Sequence, residues 1–280
     1  MTPLTWLYVP GDRPERFDKA AASGADVVIV DLEDAVVPAH KAAARENAVR
    51  WLATARPGSV EVRVNAPGTP WAAEDLRALA DVPALRGVRL PKIESAGDVR
   101  AALGLLAAQE CAVTCLIETA RGVEAAYEIA SVPRVGAIGL GEADLAGDLG
   151  VRDTDALVWA RSRVVIAARA AGLAAPAMSV YPHVDDPDGL AASSRAGRRL
   201  GFVGRAAIHP RQVPVIAAAF RPSAEEIADA RTVIDSFARA SDAGSGVFVL
   251  DDGRMIDPAM VVQARAILDR AGEDPSNGER

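Results

Sequence analysis

Residues 112–147 read AVTCLIETARGVEAAYEIASVPRVGAIGLGEADLAG. Two short apolar runs, Val113–Ile117 and Val135–Leu140, suit buried strands, and the helical stretch between them is long enough for a crossover. Each run leads into a carboxylate: Glu118 directly, and Asp144 a few residues later in a Gly-rich loop. In a parallel βαβ unit both strands point the same way, so both acids reach one rim. Oxygen ligands on neighbouring strand ends suit a hard divalent cation that keeps positions open for substrate oxygens, as Mg²⁺ usually does. Two unrelated strand-cap acids would give the same local pattern, so the rest of the chain has to decide between them.

Working outward, further short apolar runs each precede a helical stretch. Strands are expected at Thr5–Val9, Ala25–Leu32, Val60–Val64, Gly87–Leu90, Ala177–Tyr181 and Phe202–Ile208, and Asp153–Ala171 reads as one long helix. Continuous runs such as ADVVIVDL mark strands covered on both faces. With the opening pair this makes eight strands in βα rhythm, without a hairpin signal in the first 210 residues. The pattern argues for an α/β fold, a closed (β/α)₈ TIM barrel over residues 1–220. An open doubly wound sheet is weaker, because no G-x-G-x-x-G follows the first strand. After Pro210 the pattern changes. Ser223–Ala240 is a capped helix, Val247–Leu250 and Met255-Ile256 flank the turn Asp252-Gly253, and Ala259–Ala271 is a last helix. Residues 221–272 thus form a helix–hairpin–helix unit and 273–280 a solvated tail.

Composition narrows the function. The chain has 280 residues, half of them apolar, and a formal net charge of −7 with charges evenly spread, which argues against a nucleic-acid partner. No run approaches the roughly 18 apolar residues of a membrane span, and the N-terminus lacks the features of a signal peptide, so a cytoplasmic protein is expected. Cys111 and Cys115 lie about 13 Å apart in a strand, too far for a disulfide. Neither a nucleophile with spaced His and Asp partners nor a Cys/His zinc cluster is present.

Barrels place function at the carboxyl ends of their strands. Tyr8, Asp31, Glu33, Asp34, Arg63, Lys92, Glu118, Asp144 and His209 fall there, which favours a metal site at Glu118 and Asp144. Arg63 could pair with Asp31 or Asp34, or grip a substrate carboxylate as a planar fork. Asp31 and Asp34 suit holders of metal-bound water better than direct ligands. Lys92 belongs to the rim, and His209 suits a backbone-satisfied cap. Arg13, Arg16 and Lys19 on the first helix are either a solvated face or a phosphate grip.

The motifs LYVPGDRPERFDKA, VVIVDLEDAV, VRVN, RLPKIES, LIETARG, GEADL, GFVGRAAIHPRQ and GRMIDPAMVVQAR occur in this order along nearly the whole chain. Together they resemble the citrate lyase β-subunit-like branch of the HpcH/HpaI aldolase family, the acyl-CoA ester lyases. The resemblance implies a TIM barrel with a C-terminal lid, assembled as a homotrimer or hexamer. It implies Mg²⁺, with Mn²⁺ as a substitute, on Glu118 and Asp144, and a substrate-gripping Arg63. Asp257 matches the catalytic acid/base that a neighbouring subunit's lid delivers. Tyr8 and Lys19 match positions that touch the CoA thioester, which also raises the phosphate reading of Arg16. The implied reaction is reversible cleavage of a malyl-, citramalyl- or citryl-CoA-like 3-hydroxyacyl-CoA to a shorter acyl-CoA and a 2-oxo acid. A thioester hydrolase, or a carrier-dependent citrate lyase β subunit, are the alternatives. Asp34 in DLED, where small 2-oxo acid aldolases of the family carry His, is similar to the lyase branch. Two departures, Ala143 within GEADL and His183 in VYPHVDD, bear on acyl preference.

Overall fold

The computed structural model describes residues 2–56, 58–82, 85–106, 110–242, 248–249 and 253–272. It falls into two compact units, one of residues 3–220 and one formed mainly by residues from 221 onward.

The larger unit is built on seven parallel strands: β1 (Thr5–Pro10), β2 (Val27–Asp31), β3 (Val60–Arg63), β4 (Leu85–Leu90), β5 (Ala112–Ile117), β6 (Val135–Leu140) and β7 (Arg205–Ala207). Their spatial order is β6-β5-β4-β3-β2-β1-β7, so each strand from β1 to β6 lies beside its sequence neighbour. This order follows from short βα connections, each of which returns the chain beside the strand it has left. Between β6 and β7 the expected strand Ala177–Tyr181 is reduced to a single bridge, Met178 to Arg205. Even so, Met178 N–H donates to Gly204 O, Val203 N–H to Pro176 O and Ala206 N–H to Met178 O. The segment therefore continues the sheet beyond β7 without the regular ladder an eighth strand requires. The prolines at 176 and 182 limit its length by removing donors.

Alternation sorts the side chains onto two faces. Leu7, Val9, Val28, Val30, Val62, Val88, Leu90, Cys115 and Ile117 join the large core beneath the helices. Side chains of this kind contribute roughly 1.5–3 kcal/mol each when fully buried. On the other face Trp6, Val27, Ile29 and Ala206 cluster with Tyr8, Ala177 and Val180, so the 177–180 segment lines the same interior as β1, β2 and β7. The result is a parallel sheet curled as part of a barrel.

That interior also holds charge. Arg89 Nε donates to Glu61 Oε2 at 2.6 Å, with both residues buried, and the Arg89 guanidinium lies 5.9 Å from the Trp6 ring centre. A buried pair of this kind is tolerable only while both partners are present.

Several helices differ from the sequence expectation. Residues 153–171 split into a 3₁₀ turn, Thr154–Leu157, and a helix, Val158–Ala170. The β5–β6 crossover breaks at Ala125 into Ala120–Glu124 and Ala126–Ala130. Asp144 is not in a loop but in the first turn of a helix, Glu142–Leu149, that begins directly after Gly141. Two acids in that turn meet the positive end of the helix dipole, which favours an early start.

The smaller unit has the expected helix–hairpin–helix order: helix Ala224–Asp242, strands β8 (Phe248–Val249) and β9 (Met255–Ile256) paired antiparallel, and helix Pro258–Ala271. Ala230, Val233, Ile256, Val261, Ala264 and Leu268 form its own core. Val247, Leu250, the turn residue Asp252 and the tail 273–280 lie outside the described residues. Both cysteines are free thiols. No helix among the described residues is long and apolar enough to cross a membrane.

The interior ion pair gives a direct test. Arg89→Met alone leaves the Glu61 carboxylate only the half-exposed Arg86, 3.4 Å from its Oε1, and costs up to about 3–5 kcal/mol. Urea unfolding of Arg89→Met, Glu61→Leu and the double variant should show the double variant recovering most of that loss.

Candidate active site at the carboxyl ends of the strands

The carboxyl ends of β2 to β6 bring together the acids and bases expected at the rim, arranged around two cations. The first is Arg63, at the end of β3, in register with Asp31 of β2 and Arg89 of β4. Its Nε and Nη2 donate to the two oxygens of Asp31, each at 2.7 Å, and Nη1 reaches Asp34 Oδ2 at 3.2 Å. A two-pronged Arg–carboxylate bond fixes the plane of the guanidinium as well as its position. Burial opposes the Arg63 charge, but the Asp31 hydrogen bonds outweigh it and hold the guanidinium firmly protonated. Tyr8 stacks against this plane, with Arg63 5.0 Å from its ring centre. Burial raises the pKa of the Tyr8 phenol against the pull of Arg89 and Arg63, so it stays neutral.

Asp31 has further partners. Its oxygens accept the backbone N–H groups of Glu33 and Ala35, which folds the 31–35 loop around the carboxylate. Lys41 supports the loop from below. Its ammonium, 5% exposed, donates to the carbonyls of Leu32 and Glu33, both at 2.7 Å. Burial lowers the Lys41 pKa, and the nearby charges of Asp31 and Glu33 resist that shift.

The second cation is Lys92. Its Nζ lies 2.8 Å from Glu33 Oε1, 3.7 Å from Asp34 Oδ1, 3.8 Å from Glu118 Oε2 and 3.7 Å from Asp144 Oδ1. Its backbone N–H also donates to Glu118 Oε2 at 3.0 Å. Burial opposes the Lys92 charge, while the Glu33 hydrogen bond and the surrounding carboxylates hold it protonated. Glu118 is 3% exposed. Burial, the Glu33 charge and the Asp144 charge push its pKa up to about 7, against the pull of Lys92. Gly141 makes room for it: a Cβ there would lie 2.5 Å from Glu118 Cγ and 2.8 Å from its Cδ.

Five carboxylates (Asp31, Glu33, Asp34, Glu118, Asp144) thus gather around two cationic side chains (Arg63, Lys92), with the Lys41 ammonium on the backbone of the 31–35 loop, so acids outnumber bases. Glu33 Oε2 is buried without a hydrogen bond, although Arg63 Nη1 lies 3.0 Å away: an ion pair lacking hydrogen-bond alignment. A cluster with more acids than bases and spare acceptor capacity at Glu33 Oε2 fits a divalent cation. Among the described residues no three His, Cys, Asp or Glu side chains form a ready metal cage. Two carboxylates with the remaining positions open is the arrangement Mg²⁺ tolerates best.

The other expected residues have surroundings of their own or belong to the smaller unit. Arg16 and Lys19 are exposed, on a 3₁₀ turn and the short helix that follows β1. His209 Nδ1 accepts the Arg211 N–H. Glu142, next to Ala143 in GEADL, is held by Arg161 through two hydrogen bonds. His183 packs edge-on to Tyr181. Asp257 caps the last helix, accepting the Met260 N–H at 3.0 Å, with Pro258 in the first turn. Sequence reasoning missed the Glu61–Arg89 pair and the role of Lys41. The pair was detectable, since both residues share the strand parity that marks Arg63 as inward. Lys41 gives no such signal, because its partners are backbone carbonyls.

A curled parallel sheet with acids gathered at its strand ends defines an α/β protein of the barrel-like kind. The family model described as HpcH/HpaI aldolase/citrate lyase matches residues 4–210, and the chain belongs to that family. It is 42% identical over 280 residues to a citrate lyase subunit beta-like protein of Mycobacterium tuberculosis, covering 97% of this chain and 96% of that one. A (3S)-malyl-CoA thioesterase of Cereibacter sphaeroides is 37% identical over 270 residues (95% and 93%). An L-malyl-CoA/beta-methylmalyl-CoA lyase of the same species is 34% identical over 298 residues (95% and 93%). The solved structure of CitE from Mycobacterium tuberculosis, in complex with magnesium, acetoacetate and coenzyme A, superposes with a TM-score of 0.83. That match is 38% identical and covers 97% of this chain and 98% of the other.

The Glu118 shift predicts a pH effect in the metal-free protein. A carboxyl with a raised folded pKa contributes stability that is complete below the ordinary 4.5 and lost as pH rises through about 7. In chelator, Glu118→Gln should therefore melt higher than wild type at pH 8 and level with it at pH 4. Gly141→Ala, which drives a methyl into the same carboxylate, should lower the melting temperature at both pH values.

Proposed function

We propose that the protein is a Mg²⁺-dependent carbon–carbon lyase that reversibly cleaves a 3-hydroxyacyl-CoA into a shorter acyl-CoA and a 2-oxo acid. The observation that carries this reading is the convergence of Glu118 and Asp144 on one cation position at the rim, each within 4 Å of Lys92 Nζ. The family and the lyase among the relatives support it. So does the neighbouring CitE structure, which contains magnesium and coenzyme A.

Glu118 and Asp144 would hold the metal, with Mn²⁺ an acceptable substitute. Bound there, Mg²⁺ supplies Lewis-acid charge to the carboxylate and hydroxyl or oxo oxygens of the oxo-acid half of the substrate. Arg63, its plane set by Asp31, neutralises charge near the reacting carbons. Asp31 and Asp34 orient Arg63 and the water around the metal. The hydroxyl proton passes to solvent water as the C–C bond breaks, and the bonding pair passes into the thioester enolate. The carbinol carbon becomes the carbonyl of the oxo acid. Asp257 protonates the enolate carbon, or removes that proton in the reverse direction.

In this reading the 177–181 segment completes an eight-stave barrel, and residues 221–272 act as a lid. The lid brings Asp257 to a neighbouring subunit's site in a homotrimer or hexamer. Tyr8, Arg16 and Lys19 contact the CoA portion, with the two basic residues holding its phosphates. The protein works in the cytoplasm.

A thioester hydrolase on the same scaffold is the second reading, favoured by the likeness to a malyl-CoA thioesterase. A panel of malyl-, citramalyl- and citryl-CoA with Mg²⁺ separates the two. A lyase releases a shorter acyl-CoA and an oxo acid, whereas a hydrolase releases free CoA and an intact hydroxy acid. On the active ester, Glu118→Ala should lower kcat/KM at least about 100-fold. Asp257→Asn, which keeps the helix cap but removes the acid, should lower kcat about 10²–10⁴-fold. Unchanged kcat in Asp257→Asn would remove it from the chemistry.

A further inference from the structure

Lys92 is the least ordinary residue at the rim. It is one of two non-glycine residues among those described with positive φ, at 51°. A left-handed backbone disfavours any residue with a Cβ and persists only where the surroundings over-determine it. Here they do. The preceding Pro91 restricts the approach, and Ile93 N–H is bonded to Leu116 O at 3.2 Å just beyond. The turn aims the Lys92 N–H at Glu118 and carries its ammonium over the acids of three different elements.

The four contacts of that ammonium are unequal. Glu33 Oε1, at 2.8 Å, is a hydrogen bond, whereas Asp34, Glu118 and Asp144 lie at 3.7–3.8 Å as ion pairs only. The lysine is anchored on the 31–35 loop and reaches across to Glu118 and Asp144. Mg²⁺ takes its oxygens at about 2.0–2.1 Å, so a metal on Glu118 and Asp144 would sit close to the ammonium. Two cations at that separation repel strongly in a half-buried site. The buried Glu33 Oε2, ion-paired to Arg63 but without a hydrogen bond, keeps acceptor capacity on the anchored side.

We propose that Lys92 is an internal counter-cation: its ammonium offsets Glu118 and Asp144 when no divalent cation is present, and withdraws onto Glu33 and Asp34 when one binds. The proposal rests on the metal reading of Glu118 and Asp144 and deepens it. Lys92 is then a positioning residue that sets how tightly the site takes a metal. It keeps the metal-free site from flying apart under its own charge, and it weakens metal binding in return.

The test is Mn²⁺ titration of the full-length protein by calorimetry, with thermal unfolding in chelator and in saturating Mn²⁺. Lys92→Met removes the charge, Lys92→Gly removes it while accommodating the positive φ, and Lys92→Arg keeps it. The expected result is Mn²⁺ binding at least about tenfold tighter in Lys92→Met and Lys92→Gly. Lys92→Arg should stay within about threefold of wild type, because its charge is retained. The gap in melting temperature between chelator and Mn²⁺ should widen in Lys92→Met. If Lys92→Met folds poorly, Lys92→Gly carries the comparison. Unchanged or weaker binding in the charge-removing variants overturns the proposal. Glu118→Gln and Asp144→Asn keep the two ideas separable. If they bind Mn²⁺ as wild type does, the metal reading itself fails. If they lose Mn²⁺ while the Lys92 variants do not tighten, only the counter-cation proposal fails.

Discussion

The two-pronged bond between Arg63 and Asp31 is the contact on which the rest of the site depends. It joins β2 to β3 at their last residues, where the parallel ladder ends and the loops begin. Because Asp31 also accepts two backbone N–H groups from the following loop, one carboxylate fixes both a guanidinium plane and the course of residues 33–35. Glu33 and Asp34 are thereby presented to Lys92, and Lys92 in turn to Glu118 and Asp144. Without this anchor the acidic loop would separate under its own repulsion.

Charge on this scale at one end of a sheet is costly unless it has a purpose or a partner. The interior shows both ways of meeting the cost. Deeper down, Glu61 is fully engaged, hydrogen-bonded to Arg89 through Oε2 and ion-paired to Arg86 through Oε1 at 3.4 Å. At the rim the acids outnumber the bases, and burial with the Glu33 charge pushes the Glu118 pKa up to about 7. Sites whose titration is displaced by burial and by like charge are typical of function. The contrast between a lower layer whose one acid is matched by arginines and an upper layer rich in acids locates the chemistry within the unit.

Much of the larger unit was legible in the sequence because parallel strands covered on both faces are written as continuous apolar runs. Their sequential order follows from short connections. The clearest departure lies at 177–181, where apolar content suggested a strand but flanking prolines leave only one bridge. Asp144 was read into a loop because Gly141 looks like a loop residue, whereas that glycine admits the Glu118 carboxylate immediately before a helix. At the site, residue types and strand ends were readable, but partnerships were not. The Arg63–Asp31 fork was one of two open alternatives, and the central place of Lys92 depends on a positive φ that no propensity signals.

The central claim is that a carbon–carbon bond breaks and that the new carbanion is protonated. Incubation of malyl-CoA with the Mg²⁺-loaded protein in D₂O, followed by mass spectrometry of the acyl-CoA products, tests it most directly. The account predicts acetyl-CoA carrying one carbon-bound deuterium, formed in step with glyoxylate. Free CoA together with malate bearing no carbon-bound deuterium would contradict it.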